Sequence, residues 1–95
     1  MARAKSPNIS FMKSYVRKFI NGKMERWEFD LDFNHYFIER YDGMMREDCD
    51  FAEAFAFYVS EYGVDVGGGM DDDEYRDLIR SQYNELLAVA REGYP

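Results

Sequence analysis

Cysteine occurs once in this chain, at Cys49, so no intramolecular disulfide can form and a metal cluster built from cysteines is excluded. Histidine also occurs once, at His35, which leaves little material for a histidine-based metal or catalytic centre. No window approaches the roughly 20 apolar residues that a membrane span needs, and the basic start lacks the apolar run and small-residue cleavage site of a secretory leader. A soluble, cytoplasmic protein without membrane contact is therefore expected. At 95 residues the chain suits one small domain. Hydrophobic residues make up 46% and aromatic residues 18%, enough for burial to offset the entropy of ordering.

Charge is divided unevenly. Residues 1–26 carry seven cations against Glu25 alone, a net +6. Residues 27–95 carry five arginines against 18 carboxylates, a net −13. A lobe this acidic repels phosphate backbones and attracts basic proteins, although the same charge also serves solubility. Direct nucleic-acid binding is not expected of it. Lys13, Arg17 and Lys18 read as the solvated face of the first helix, available to pair with acidic groups of the same molecule.

Residues 1–7 read as a flexible leader and residues 8–95 as a single helical domain. Ile9, Met12, Tyr15, Val16, Phe19 and Ile20 recur at three and four, and Asn21-Gly22 supplies a stop, predicting a helix over residues 8–21. Residues 27–33 alternate apolar and acidic like a half-buried strand, which keeps open a hairpin within residues 17–33 and an α+β fold. Trp27, Leu31, Asn34, Ile38 and Tyr41, with Phe37 beside them, form one helical stripe, and a helix over residues 25–41 explains the whole run. Asp42-Gly43 then marks its end. A third helix is predicted from Glu47 and Asp48 to Gly63, with Phe51, Ala52, Phe55, Tyr58, Val59 and Tyr62 as its apolar positions. Residues 64–70 read as a flexible connector. Asp71 and Glu74 have the spacing of a capping arrangement opening a fourth helix, with Tyr75, Leu78, Ile79, Gln82, Leu86 and Ala90 on one face and Gly93 as the stop. Four amphipathic helices on short loops predict an all-α four-helix antiparallel bundle, its aromatics serving as core.

Chemical motifs break off early. Gly67-Gly68-Gly69 runs into Met70 and three aspartates, not the Gly-Lys-Ser/Thr of a phosphate loop. Residues 30–34, DLDFN, match the opening of a calcium loop, but His35 replaces its turn glycine and Tyr41 its bidentate glutamate. Cys49 stands between Asp48 and Asp50, whose charges disfavour a thiolate. His35 reads as a hydrogen-bonded structural histidine, and no nucleophile is tied to a base. Neither catalysis, a cofactor nor a metal is expected. What remains is an acidic surface. Glu53, Ser60 and Glu61 on the third helix, Asp65 in the connector, and Asp71, Asp72 and Asp73 at the start of the fourth form a negative ridge if those helices are neighbours. Such a ridge imitates the charge spacing of a nucleic acid and suits a basic cleft built for phosphates.

The order of features carries a resemblance. A first amphipathic helix leads to KMERWEF (residues 23–29), then to a charged helix bearing residues 37–40. The aromatic AEAFAFYVSEY (residues 52–62), an acidic loop and MDDDEYRDLIRSQYNELL (residues 70–87) follow. In this order the chain resembles the colicin D immunity family of small bacterial self-protective, colicin-like immunity proteins over most of residues 9–88. The resemblance implies a four-helix antiparallel bundle that blocks a cognate tRNA-cleaving toxin by occupying its basic substrate cleft. It also implies partner-binding carboxylates at the end of the third helix and in the following loop, matched here by Glu61 and Asp65. Ser60 and Gly63 depart from that pattern, standing where acids are expected, and Asp71 to Asp73 are read from charge alone as the replacement. A monomer is favoured. An acidic nucleic-acid mimic or adaptor of phage or plasmid origin, binding a basic protein, remains the alternative.

Overall fold

The computed structural model describes residues 6–94, and residues 1–5 of the expected leader lie outside that range. The first helix, α1 (Pro7–Ile20), begins within the expected leader because Pro7 occupies its opening turn, where a missing N–H costs nothing. Its buried residues are Ile9, Met12, Tyr15, Val16, Phe19 and Ile20, the predicted set. Gly22, at φ +78°, takes the left-handed conformation after the last turn.

Residues 26–47 are one helix, α2 (Arg26–Glu47), and no strand occurs among the described residues, so the hairpin alternative is set aside. The Glu25 backbone N–H donates to Glu28 Oε1 at 3.2 Å, satisfying a donor just before the first turn. Most of the predicted stripe faces outward: Trp27, Leu31, Asn34 and Ile38 are exposed, while Phe29, Phe33 and Met44 are buried. Tyr41 of the stripe and the neighbouring Phe37 are half-buried and pack against the core. Two apolar sets compete for the interior on opposite sides of this helix, and ring packing selects the phenylalanines. Phe29 stacks on Phe19 at 4.2 Å and 11° and on Tyr15 at 5.3 Å, and the Tyr15 hydroxyl donates to the Phe29 carbonyl at 2.8 Å. The helix also runs through Asp42-Gly43. Gly43 acts as a point of close approach, since a Cβ there would overlap the Asn8 side chain.

Asp48 ends α2 with an extended backbone and caps α3 (Cys49–Phe55), accepting from the Phe51 N–H at 3.1 Å. Glu47, expected to open the third helix, instead closes α2 and reaches back to the start of α1. It accepts from the Asn8 N–H at 2.9 Å, Asn8 Nδ2 at 2.7 Å and the Ile9 N–H at 2.8 Å. These bonds fill donors that a helix N-terminus leaves orphaned. Burial pulls the Glu47 carboxyl upward, but the hydrogen bonds from Ile9 and Asn8 outweigh it and hold the group below its ordinary value.

Beyond Phe55 the chain widens into a π-helical segment, Ala56–Val64. The core positions Phe51, Phe55, Val59 and Gly63 are spaced by four. Each such step drifts about 40° around an α-helix, and a wider turn keeps the residues pointing inward. Gly63 permits the approach of α4, because a Cβ there would lie 3.0 Å from Ile79 Cδ1. Tyr62, expected on the apolar face, is exposed. A short turn of 3₁₀ helix, Gly67–Gly69, replaces the expected flexible connector. The last helix, α4 (Asp72–Glu92), is capped by Asp71 and stopped at Gly93, φ +109°. It buries Tyr75, Ile79, Tyr83 and Leu86, Tyr83 being a core residue absent from the predicted face.

Side-chain reach fixes the directions. Glu47 at the end of α2 holds the start of α1, so these helices are antiparallel. Arg76 and Arg80, early in α4, donate to the Phe19 and Ile20 carbonyls at the end of α1, which places cations on the negative end of its dipole and sets α1 and α4 antiparallel. The expected antiparallel bundle follows. Among the described residues no helix is long and apolar enough to cross a membrane.

Candidate functional site

The three consecutive aspartates stand in three different situations. Asp71 Oδ1 accepts from the Glu74 N–H at 2.9 Å while Glu74 Oε1 accepts from the Asp71 N–H at 3.2 Å, a reciprocal cap on α4. Asp72 Oδ1 lies 3.2 Å from Arg26 Nη1. Asp73 is exposed and has no ion-pair partner among the described residues.

Arg26 organises this end of the molecule. Its Nη1 donates to the Met70 carbonyl at 2.6 Å and its Nη2 to the Gly67 carbonyl at 3.0 Å. Nε lies 3.5 Å from Asp30 Oδ2, and the guanidinium sits over the Tyr75 ring at 4.4 Å. The planar fork thereby ties the first turn of α2 to the glycine turn and to α4. Tyr75 completes the contact by donating its hydroxyl to Asp30 Oδ1 at 2.8 Å. Burial, then the hydrogen bond and charge of Asp30, push the Tyr75 phenol well above its ordinary value, so it remains a donor. A Cβ on Gly67 would overlap the Tyr75 ring, which explains a glycine at this one position of the three.

Two shallow depressions flank this knot and share Arg26, Asp30 and Gly68. One, of about 260 Å³, brings Asp65 and Asn34 to Asp30. The other, of about 430 Å³, brings Asp72 and Met70 to Glu25 and Trp27. The structure thus joins Asp65 and Asp72 into one negative area and adds Glu25, just before α2, and Asp30 and Asn34 on it, which were not among the expected site residues. For Asp30 and Asn34 the signal was present in DLDFN, whose polar residues must meet solvent or a partner wherever they point around the helix.

The expected ridge is divided. Glu53 belongs to a separate depression of about 320 Å³ with Asp50, Phe57, Tyr58, Val89 and Tyr94. Val89 stands 17 residues along α4 from Asp72, about 26 Å at the helical rise. Ser60 is half-buried, and its carbonyl accepts from the Asp65 N–H at 2.9 Å to close the π-helical segment. Glu61 is exposed between the inward-facing Val59 and Gly63. The i to i+5 bonding of this segment also brings Phe57 and Tyr62 together, ring centroids 4.8 Å apart and both exposed. π-Helical turns recur at functional sites, and this one carries Ser60 and Glu61.

Residues 30–34 are helical, so Asp30, Asp32 and Asn34 radiate around α2 and do not converge as a calcium loop requires. Among the described residues no group of three or more His, Cys, Asp or Glu side chains is placed to hold a metal ion. His35 is exposed on α2 with its ring 5.6 Å from Tyr36. Cys49 is exposed as well, and partial desolvation followed by the carboxylates of Glu53, Asp50 and Asp48 raises its thiol above the ordinary value. Lys13 and Arg17 find no carboxylate among the described residues: Lys13 lies over the Phe51 ring at 5.7 Å, and Arg17 donates to the Tyr83 hydroxyl at 3.2 Å. Compared with family models, curated proteins and solved structures, the chain matches none.

Proposed function

We propose that this protein is a non-catalytic, cytoplasmic immunity protein of the colicin D type. It binds a basic nuclease toxin of the tRNA-cleaving class and fills that toxin's substrate cleft with its acidic surface. The observation that carries the reading is the lack of internal neutralisation. Of the 18 carboxylates beyond residue 26, three enter ion pairs among the described residues: Asp30, Asp72 and Asp77. Arg26, Arg76 and Arg80 direct donors to the carbonyls of Phe19, Ile20, Met24, Gly67 and Met70, which neutralise no carboxylate. The negative field is therefore left to solvent, or to a partner whose cations face the same spacing of charge.

Glu61 and Asp65, with Asp72 and Asp73, are the residues proposed to meet the toxin. Steering by the acidic field brings the partner in, and close charge pairs then hold it. Loss of one member of such a pair costs about 2 to 5 kcal/mol. The test is growth rescue: the neighbouring open reading frame is expressed with and without this protein in cells that carry neither. Killing by the neighbour and rescue through a tight, salt-sensitive complex support the reading, and a harmless neighbour overturns it. Reversing Glu61 and Asp65 together should weaken the complex far more than reversing Glu85 and Glu92 at the other end of α4. Equal losses would move the site while leaving the function standing.

A further inference from the structure

The sole tryptophan of the chain is one of its most exposed large hydrophobic side chains. Trp27 is 66% exposed, Leu31 69% and Ile38 76%. Their spacing of four and seven places them in one row along α2, on the side turned away from buried Phe29, Phe33 and Met44. The row starts in the depression that Trp27 shares with Glu25, Met70 and Asp72, so it continues the negative area described above. Exposed Glu28, Glu39 and Asp42 border it on one side and Asp30 on the other.

A second copy of this chain fits the row poorly. A two-fold axis that sets Leu31 against the second copy's Ile38 also sets Trp27 level with Asp42 and brings Glu28 beside the second copy's Asp42 along the shared edge, joining carboxylate to carboxylate. Fully covered, the three side chains supply on the order of 400 Å² of apolar area, about half of the roughly 800 Å² per partner in a standard interface. The remainder falls on the acidic border, which calls for cations from the other side.

We infer that the outward face of α2 is a docking surface for a basic amphipathic helix. That helix lays an aliphatic row against Trp27, Leu31 and Ile38 and turns lysines or arginines toward Glu28, Asp30, Glu39 and Asp42. The inference extends the reading above from charge to apolar contact, and rests on that reading only for the sign of the partner's charge.

Trp27 supplies the reporter. The intact protein is titrated with a leucine–lysine helical peptide of about 18 residues, with its serine–lysine counterpart, and with a leucine–serine counterpart, following tryptophan emission. The leucine–lysine peptide should shift emission to shorter wavelength and saturate at one per chain. Leu31→Ser with Ile38→Ser, both exposed and so harmless to folding, should weaken it about tenfold or more. The serine–lysine peptide should leave emission unmoved. If both lysine peptides bind alike without a shift, the docking surface is refuted while the acidic reading survives. Equal binding of the leucine–serine peptide refutes the basic character of the partner. A shift that follows the protein's own concentration, with a doubled mass by light scattering, assigns the face to a second copy and overturns the inference, as does the absence of any shift.

Discussion

Replacing Arg26 by methionine tests the account of how α2, the glycine turn and α4 are held in register. Methionine keeps much of the aliphatic stem and removes the donors. The side chain is 16% exposed, and two of its bonds run to the carbonyls of half-buried Met70 and buried Gly67 at 2.6 and 3.0 Å. Hydrogen bonds from a charged donor contribute about 1.5 to 3 kcal/mol each, and water entering the loosened turn recovers part of that. The contact over the Tyr75 ring adds about 0.5 to 1 kcal/mol. The ion pair with Asp72, whose side chain is 74% exposed, is worth little after solvent screening. A net loss of about 2 to 4 kcal/mol is expected, or roughly 10 to 20 °C in Tm for a chain of this size. Urea denaturation of Arg26→Met and Asp72→Asn, each in low and in high salt, distinguishes the contributions. Arg26→Met should lose nearly the same amount in both salts, and Asp72→Asn about 0.5 kcal/mol or less. A loss for Arg26→Met that disappears in high salt, or that Asp72→Asn reproduces, would show that the ion pair and not the carbonyl clamp holds the turn.

Gly67→Ala should destabilise the fold by about 1 to 3 kcal/mol because its Cβ meets the Tyr75 ring, whereas Gly68→Ala and Gly69→Ala, with open space around them, should be neutral or slightly stabilising. Thermal unfolding of the three variants checks the ranking, and equal effects would remove the steric argument. The depressed carboxyl of Glu47 has a defined sign: its folded pKa lies below the unfolded value, so its contribution is present above the unfolded pKa and is lost as pH falls through the folded one. Glu47→Gln should lower stability at neutral pH and flatten the decline between about pH 5 and the folded pKa, read from urea midpoints across that range. Cys49, exposed yet raised, should react with a neutral disulfide reagent near pH 7 more slowly than a free thiol, and Glu53→Gln with Asp50→Asn should speed it.

Local rules carried α1 and α4 almost unaided. A single apolar period, one proline or aspartate at the start and one glycine at the end leave no competing arrangement, and each of the six predicted apolar residues of α1 is buried. The charge split and the aspartate cap were legible for the same reason, since both depend on residues close in sequence. For α2 the chain offers two apolar faces, Trp27-Leu31-Ile38 and Phe29-Phe33-Met44, and helical periodicity ranks neither above the other. Only the stacking of Phe29 on Phe19 and Tyr15 decides which turns inward, and the loser becomes exposed surface. Gly43 read as a stop because its partner, Asn8, lies 35 residues away in the chain. The candidate site divides along the same line. Sequence alone determined that the surface is acidic and which residues can contribute. The fold decided that Asp71 is spent as a cap, that Asp72 meets Arg26, that Glu53 lies at the far end of α4, and that Asp30 and Trp27 join Asp65 and Asp72. Each of those outcomes depends on contacts between distant segments, and such contacts exist only once the helices have packed.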